Sequence, residues 1–163
     1  MTNEKNYQQI LIQRKFDRSK VPKKNQVTFT IQGKVIAQLS SYAVFTGASK
    51  SGKSTFIAAT IASAYTGFQD IFSIKLSLPK ERKRIGYFDT ESSEYDFYKQ
   101  IEKISKFVDR NGLPEEIDAF NTREDNPKDI RSMIMQYLKD TPDCSILIVD
   151  GFLDLLMDYN SVE

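Results

Sequence analysis

The apolar and polar positions of this chain sort into alternating strand and helix patterns. Val27–Gln32 (VTFTIQ) alternates β-branched or aromatic residues with polar ones, the pattern of a half-buried strand. Gly33-Lys34 reads as a turn and Val35–Gln38 as the return strand of a small hairpin. Tyr42–Thr46 (YAVFT) is short and apolar and runs into a Gly-rich loop, so a buried parallel strand is expected there. Ser54–Thr66 carries Phe56, Ile57, Ile61 and Ala64 as the apolar members of a helix that Gly67 would stop. Phe72–Leu78 alternates as a strand closed by Pro79, and Ile85–Asp89 (IGYFD) reads as a second core strand. In Glu94–Arg110, Phe97, Ile101, Ile104 and Phe107/Val108 recur at helical spacing up to Asn111-Gly112. Ile117–Asn121 is a short third core strand. Asn126 as N-cap, Pro127 at the first helical position and Asp129 two residues on open a helix whose apolar face is Met133, Ile134, Tyr137 and Leu138, up to Lys139. Ser145–Asp150 (SILIVD) has the run of apolar residues expected of a fully buried strand.

Strand and helix therefore alternate, which predicts an α/β fold with a parallel sheet and crossover helices. Residues 1–26 are polar and basic and read as an irregular arm with a short helix around Tyr7–Gln13; Pro22 rules out a continuous helix. The expected organisation is this arm followed by one domain over 27–163.

Composition narrows the chemistry. The 163 residues include no His, no Trp and one Cys. That excludes His-based acid–base and triad schemes, an internal disulfide and a multi-Cys zinc site. Cys144 is expected to be a small buried hydrophobe in a reducing cytoplasm. No secretory leader or membrane-spanning run is read, so a cytoplasmic protein with no membrane partner is expected. The net charge of +1 conceals an asymmetry: residues 1–85 carry 15 Lys/Arg against 4 Asp/Glu, whereas residues 86–163 carry 8 against 18. Such a split either marks a polyanion-binding half or belongs to two solvated faces that offset each other.

One motif accounts for the available groups. Gly47-Ala48-Ser49-Lys50-Ser51-Gly52-Lys53-Ser54 matches G-x-x-x-x-G-K-[ST] in full, between a predicted strand and a predicted helix. Such a loop wraps a phosphate so that successive N–H groups point inward, and the following helix adds its positive end. A side chain at Gly47 or Gly52 would crowd the turn or block the approach. Lys53 is expected at the outer phosphates, the Ser54 hydroxyl on Mg2+, and Thr55 at an inner phosphate. Asp150 ends the ILIVD strand on the side of an open α/β sheet where ligands bind, and is the expected second metal-linked group. The residue after it is Gly151, so a water-orienting Glu is not found there. Glu91, just past the end of Ile85–Asp89, is the expected water-orienting carboxylate, with Asp89 as fallback; Glu94 reads as a first-turn helix acid.

With these residues in place, the chain resembles a RecA-like P-loop ATPase: GASKSGKST, a Glu at the end of the next core strand (FDTESSEY), and ILIVDG as Walker B. Within that group it is similar to the RepA-like and DnaB-like ring helicases of plasmids and mobile elements. The resemblance implies Mg-ATP hydrolysis with Lys53, Ser54, Asp150 and catalytic Glu91. It also implies single-stranded DNA as a partner, and a homo-oligomeric ring in which a neighbour supplies an Arg that this chain does not identify. In that family a further strand lies between the phosphate-loop strand and the Walker B strand. Its absence here leads to the expectation of an N-terminal portion of a longer protein with a gap at the sheet centre.

Two other classes compete: a P-loop kinase with Lys80–Arg84 as its lid, and a non-catalytic nucleotide-dependent assembly module. Arg14–Lys24 and Lys80–Arg84 are the basic stretches available to a nucleic acid. Tyr87, Phe88, Tyr95, Phe97 and Tyr98 fit core or helix-face roles better than base stacking.

Overall fold

The computed structural model describes residues 7–21, 23–48, 50–66 and 73–155. In chain order the elements are α1 (Tyr7–Arg14), β1 (Val27–Ile31), β2 (Lys34–Gln38), α2 (Lys53–Thr66), β3 (Ile74–Leu76), β4 (Arg84–Asp89), α3 (Glu94–Phe107), β5 (Ile117–Asn121), α4 (Pro127–Asp140), β6 (Cys144–Asp150) and a 3-10 turn (Phe152–Leu155).

They form two three-stranded sheets. The first is antiparallel in the order β2-β1-β3, with the predicted hairpin as its β1–β2 pair. The Phe72–Leu78 strand is present only as β3, which pairs with β1 and takes no part in the parallel sheet; Phe72 and the helix stop at Gly67 lie outside the described residues. The second sheet is parallel in the order β5-β4-β6. Strand β4 is its centre, and alternation along β4 decides both faces. Ile85 and Tyr87 point into a core with Ala58, Ala59, Ile61 and Ala62 of α2 and Ile104 of α3. Phe88 points the other way, into a cluster with Ile130 and Ile134 of α4. Gly86 shares that second face, where an added Cβ would meet the Tyr137 ring of α4 at 2.6 Å, so only glycine allows α4 to pack this close.

Local signals explain the helix ends. Asn126 caps α4 by accepting from the Asp129 N–H at 3.0 Å, with Pro127 behind it. Ser93 caps α3 by accepting from the Asp96 N–H at 3.2 Å, and Glu94 and Asp96 place negative charge in the first turn. Helix α3 ends at Phe107 rather than Arg110, because Val108 closes it onto the Ile104 carbonyl and Asp109 turns to φ 54°.

Two expectations are corrected. Tyr42–Thr46 forms no strand: it pairs with no other segment among the described residues, and Tyr42 and Val44 are 91 % and 66 % exposed. Among the described residues it is tethered through the Phe45 ring, 5.8 Å from Phe29 and 5.0 Å from Phe56. Strand β6 is not fully buried either. Among the described residues it pairs on one edge only, with β4, and apart from Cys144 its residues are half-exposed. Cys144 itself is buried, as expected. No helix among the described residues is long and apolar enough to cross a membrane.

Candidate functional site

The phosphate-loop sequence leads directly into α2. The turn closes by a Ser51 N–H to Ala48 carbonyl bond of 3.2 Å, and the Gly52 carbonyl accepts the first helical bond from the Phe56 N–H at 2.9 Å. The two motif glycines are needed for different reasons. A Cβ on Gly47 would lie 2.6 Å from the Ser51 hydroxyl, so this position is crowded as expected. Gly52 faces open space and is required instead by its backbone, at φ +90°. The half-buried Lys53 folds back to donate to the Gly47 carbonyl at 3.2 Å, so its ammonium lies across the loop. Ala48, Lys50, Ser51 and Ser54 are exposed, and Thr55 is half-buried in the first turn of α2; Ser49 lies outside the described residues.

The carboxylates come from the parallel sheet. Strands β5, β4 and β6 end in register at Asn121, Asp89 and Asp150, so three polar residues line one edge of the sheet. Asp150 is half-buried, and its carboxyl is pushed up to about 6. Burial is the main cause, followed by the negative charges of Asp89 and Glu91, with Lys53 acting in the opposite direction. Asp150 therefore feels the charges of Asp89, Glu91 and Lys53.

Asp89 has a structural task that its parity with Glu91 does not reveal. Its side chain is buried, with Oδ1 accepting from the Glu91 and Ser92 N–H groups at 3.0 and 2.8 Å and Oδ2 accepting from the Tyr87 hydroxyl at 3.1 Å. Burial above all, then the Asp89 charge, keeps that phenol protonated as a donor. Asp89 commits three of its acceptor positions to this corner. It fixes the backbone from which Glu91 projects into solvent. Thr90 ties the same corner to β6 through its N–H to the Asp150 carbonyl at 3.0 Å. Thr122 donates its N–H to the Asp89 carbonyl at 2.8 Å.

Helix α3 adds two residues that carry no motif. Buried Gln100 donates its amide to the Ser54 carbonyl, and Lys103 Nζ donates to Thr55 Oγ1 at 3.2 Å. A Gln and a Lys three residues apart on a helix give no sequence signal of their own; only the packing of α3 on α2 brings them here.

Among the described residues no cluster of three or more His, Cys, Asp or Glu could hold a metal alone. One hydroxyl (Ser54) and one carboxylate (Asp150) suit Mg2+ only when phosphate oxygens and water complete its shell. Two surface depressions, on α4 around Met135 and on α1 around Leu11, lie apart from these residues.

The basic stretch Lys80–Arg84 is partly committed to the fold. Arg84 pairs with Asp118 at 3.1 Å and Asp143 at 3.3 Å, and Arg82 donates to the Cys144 carbonyl. Tyr87 and Phe88 are buried and Phe97 packs against the core, whereas Tyr95 and Tyr98 are exposed on α3. Comparison with known proteins identifies no relative: no family model, curated protein or solved structure matches this chain.

Proposed function

We propose that this chain binds and hydrolyses Mg-ATP at the edge formed by the phosphate loop and the carboxyl ends of β4 and β6. The observation that carries this reading is the complete G-x-x-x-x-G-K-S-T loop opening α2, with the Glu91 and Lys53 charges felt at Asp150. In this mechanism Lys53 leaves the Gly47 carbonyl and neutralises the outer phosphates, a point charge that the exposed loop allows to swing. The loop N–H groups and the α2 N-terminus cradle the phosphates. Ser54 and Asp150 would hold Mg2+, which supplies charge neutralisation between the phosphates when bound. Glu91 accepts a proton from the attacking water and aims it, from a corner held rigid by Asp89.

The finer reading is a RecA-like motor domain of a ring helicase acting on single-stranded DNA. The motif resemblance supports it, and the exposed Arg14, Lys15, Arg18, Lys20, Lys23 and Lys24 add phosphate-contacting charge. The kinase reading loses support because Arg82 and Arg84 of its lid are engaged in holding the sheet.

Equilibrium binding of Mg-ATP, with phosphate release measured in the absence of any acceptor, tests the reading. Binding and release by the wild type, both lost in Lys53→Ala, are expected. Release only on addition of a small acceptor contradicts hydrolysis.

A further inference from the structure

We propose that Lys103 is a second phosphate-binding cation of this site, reaching the inner phosphate of a nucleoside di- or triphosphate from α3. The inference rests on the nucleotide reading above. Lys103 Nζ lies 3.2 Å from the Thr55 hydroxyl, in the first turn of α2. Gln100, one turn earlier on the same face of α3, bonds the Ser54 carbonyl and fixes the crossing of the two helices. Lys103 is therefore held over the start of α2 by packing and does not merely swing there.

The electrostatics of that position point to an anion. The N-terminus of a helix carries partial positive charge, so a cation beside it is disfavoured. Lys53 opens the same helix and adds a like charge. Lys103 is half-buried and has no carboxylate within ion-pairing distance among the described residues. Lys99, one turn earlier and exposed, is by contrast paired with Glu102 at 3.0 Å. A phosphate at Thr55 would answer the helix end and Lys103 together. Lys103 is placed at Thr55, the residue expected at an inner phosphate, whereas Lys53 is expected at the outer ones, so the two lysines address different phosphates.

The test is equilibrium binding of ATP and ADP, each with Mg2+, to the full chain, read by displacement of a fluorescent ADP analogue. Lys103→Met is expected to weaken both nucleotides about tenfold, the scale of one charge-assisted hydrogen bond. Lys103→Arg is expected to stay within about twofold of wild type, since it keeps the charge. Lys53→Met is expected to weaken ATP more than ADP. A thermal melt accompanies each variant, and Lys103→Gln, which keeps a polar tip, replaces Lys103→Met if the latter melts early. Wild-type affinity for both nucleotides in Lys103→Met or Lys103→Gln overturns the proposal and leaves the nucleotide reading standing. A loss for ATP alone overturns the inner-phosphate assignment. A wild type that binds neither nucleotide overturns both.

Discussion

The two sides of the candidate site are built in opposite ways. The phosphate-loop motif has the most specific sequence signature in the chain, yet among the described residues the segment leading into it, Tyr42–Thr46, lies outside every ladder and packs through the Phe45 ring. The carboxylate side has a weak sequence signature, two acids at strand ends, yet rests on β4, which is hydrogen-bonded on both edges and packed on both faces. The difference separates chemistry from scaffolding. A phosphate loop needs only its own turn and the first turn of a helix, both local. A pair of carboxylates needs two strands far apart in sequence to fall into register.

The largest expected effect lies on the loop side and concerns function. Lys53→Ala should lower ATP turnover by about a thousandfold, as loss of a transition-state charge does, while leaving the melting temperature near that of wild type. Phosphate release and calorimetry check it, and a large drop in stability would mean that the loop is part of the core after all. The stability contrast comes next. Ile85→Ala in β4 should cost about 2–5 kcal/mol in urea unfolding, whereas Tyr42→Ala and Val44→Ala should each stay within about 0.5 kcal/mol. Equal costs on the two sides would break the comparison.

A smaller effect is expected at the corner below Glu91. Asp89→Ala leaves two N–H groups and the Tyr87 hydroxyl without their acceptor and should cost about 1–3 kcal/mol. It should also lower turnover, because Glu91 loses its fixed backbone. The smallest effect concerns Asp150. Its carboxyl is raised to about 6 in the folded chain, so the fold binds its proton more tightly than the unfolded chain does. The associated stability is present at low pH and is lost as pH rises through about 6. Asp150→Asn should therefore melt about 2 °C above wild type at pH 7 in the absence of ligand, with the gap closing below about pH 4.

Much of the fold was legible because its signals are local. Asn126-Pro127 with Asp129 specifies the start of α4, and Ile117–Asn121 matches β5 to the residue. The cap of α3 is just as local, with the Ser93 hydroxyl accepting from the Asp96 N–H at 3.2 Å, although it was not read from the sequence. Tyr42–Thr46 was misread because an apolar run becomes a strand only with a neighbour to bond, and no pattern in YAVFT reveals whether one is there. Asp89 was placed correctly at a strand end, but its role depends on the chain turning back so that two N–H groups meet its carboxylate. Gln100 and Lys103 were invisible for a related reason: their neighbours are 46 and 48 residues away along the chain.

Glu91→Gln bears most directly on the claim that one edge joins a phosphate loop to a water-activating carboxylate. The measurement is steady-state phosphate release from Mg-ATP alongside ATP affinity, for wild type and variant. Affinity within about threefold of wild type and turnover reduced by about a hundredfold or more, the scale of a lost general base, are expected. Turnover unchanged in Glu91→Gln would contradict that claim.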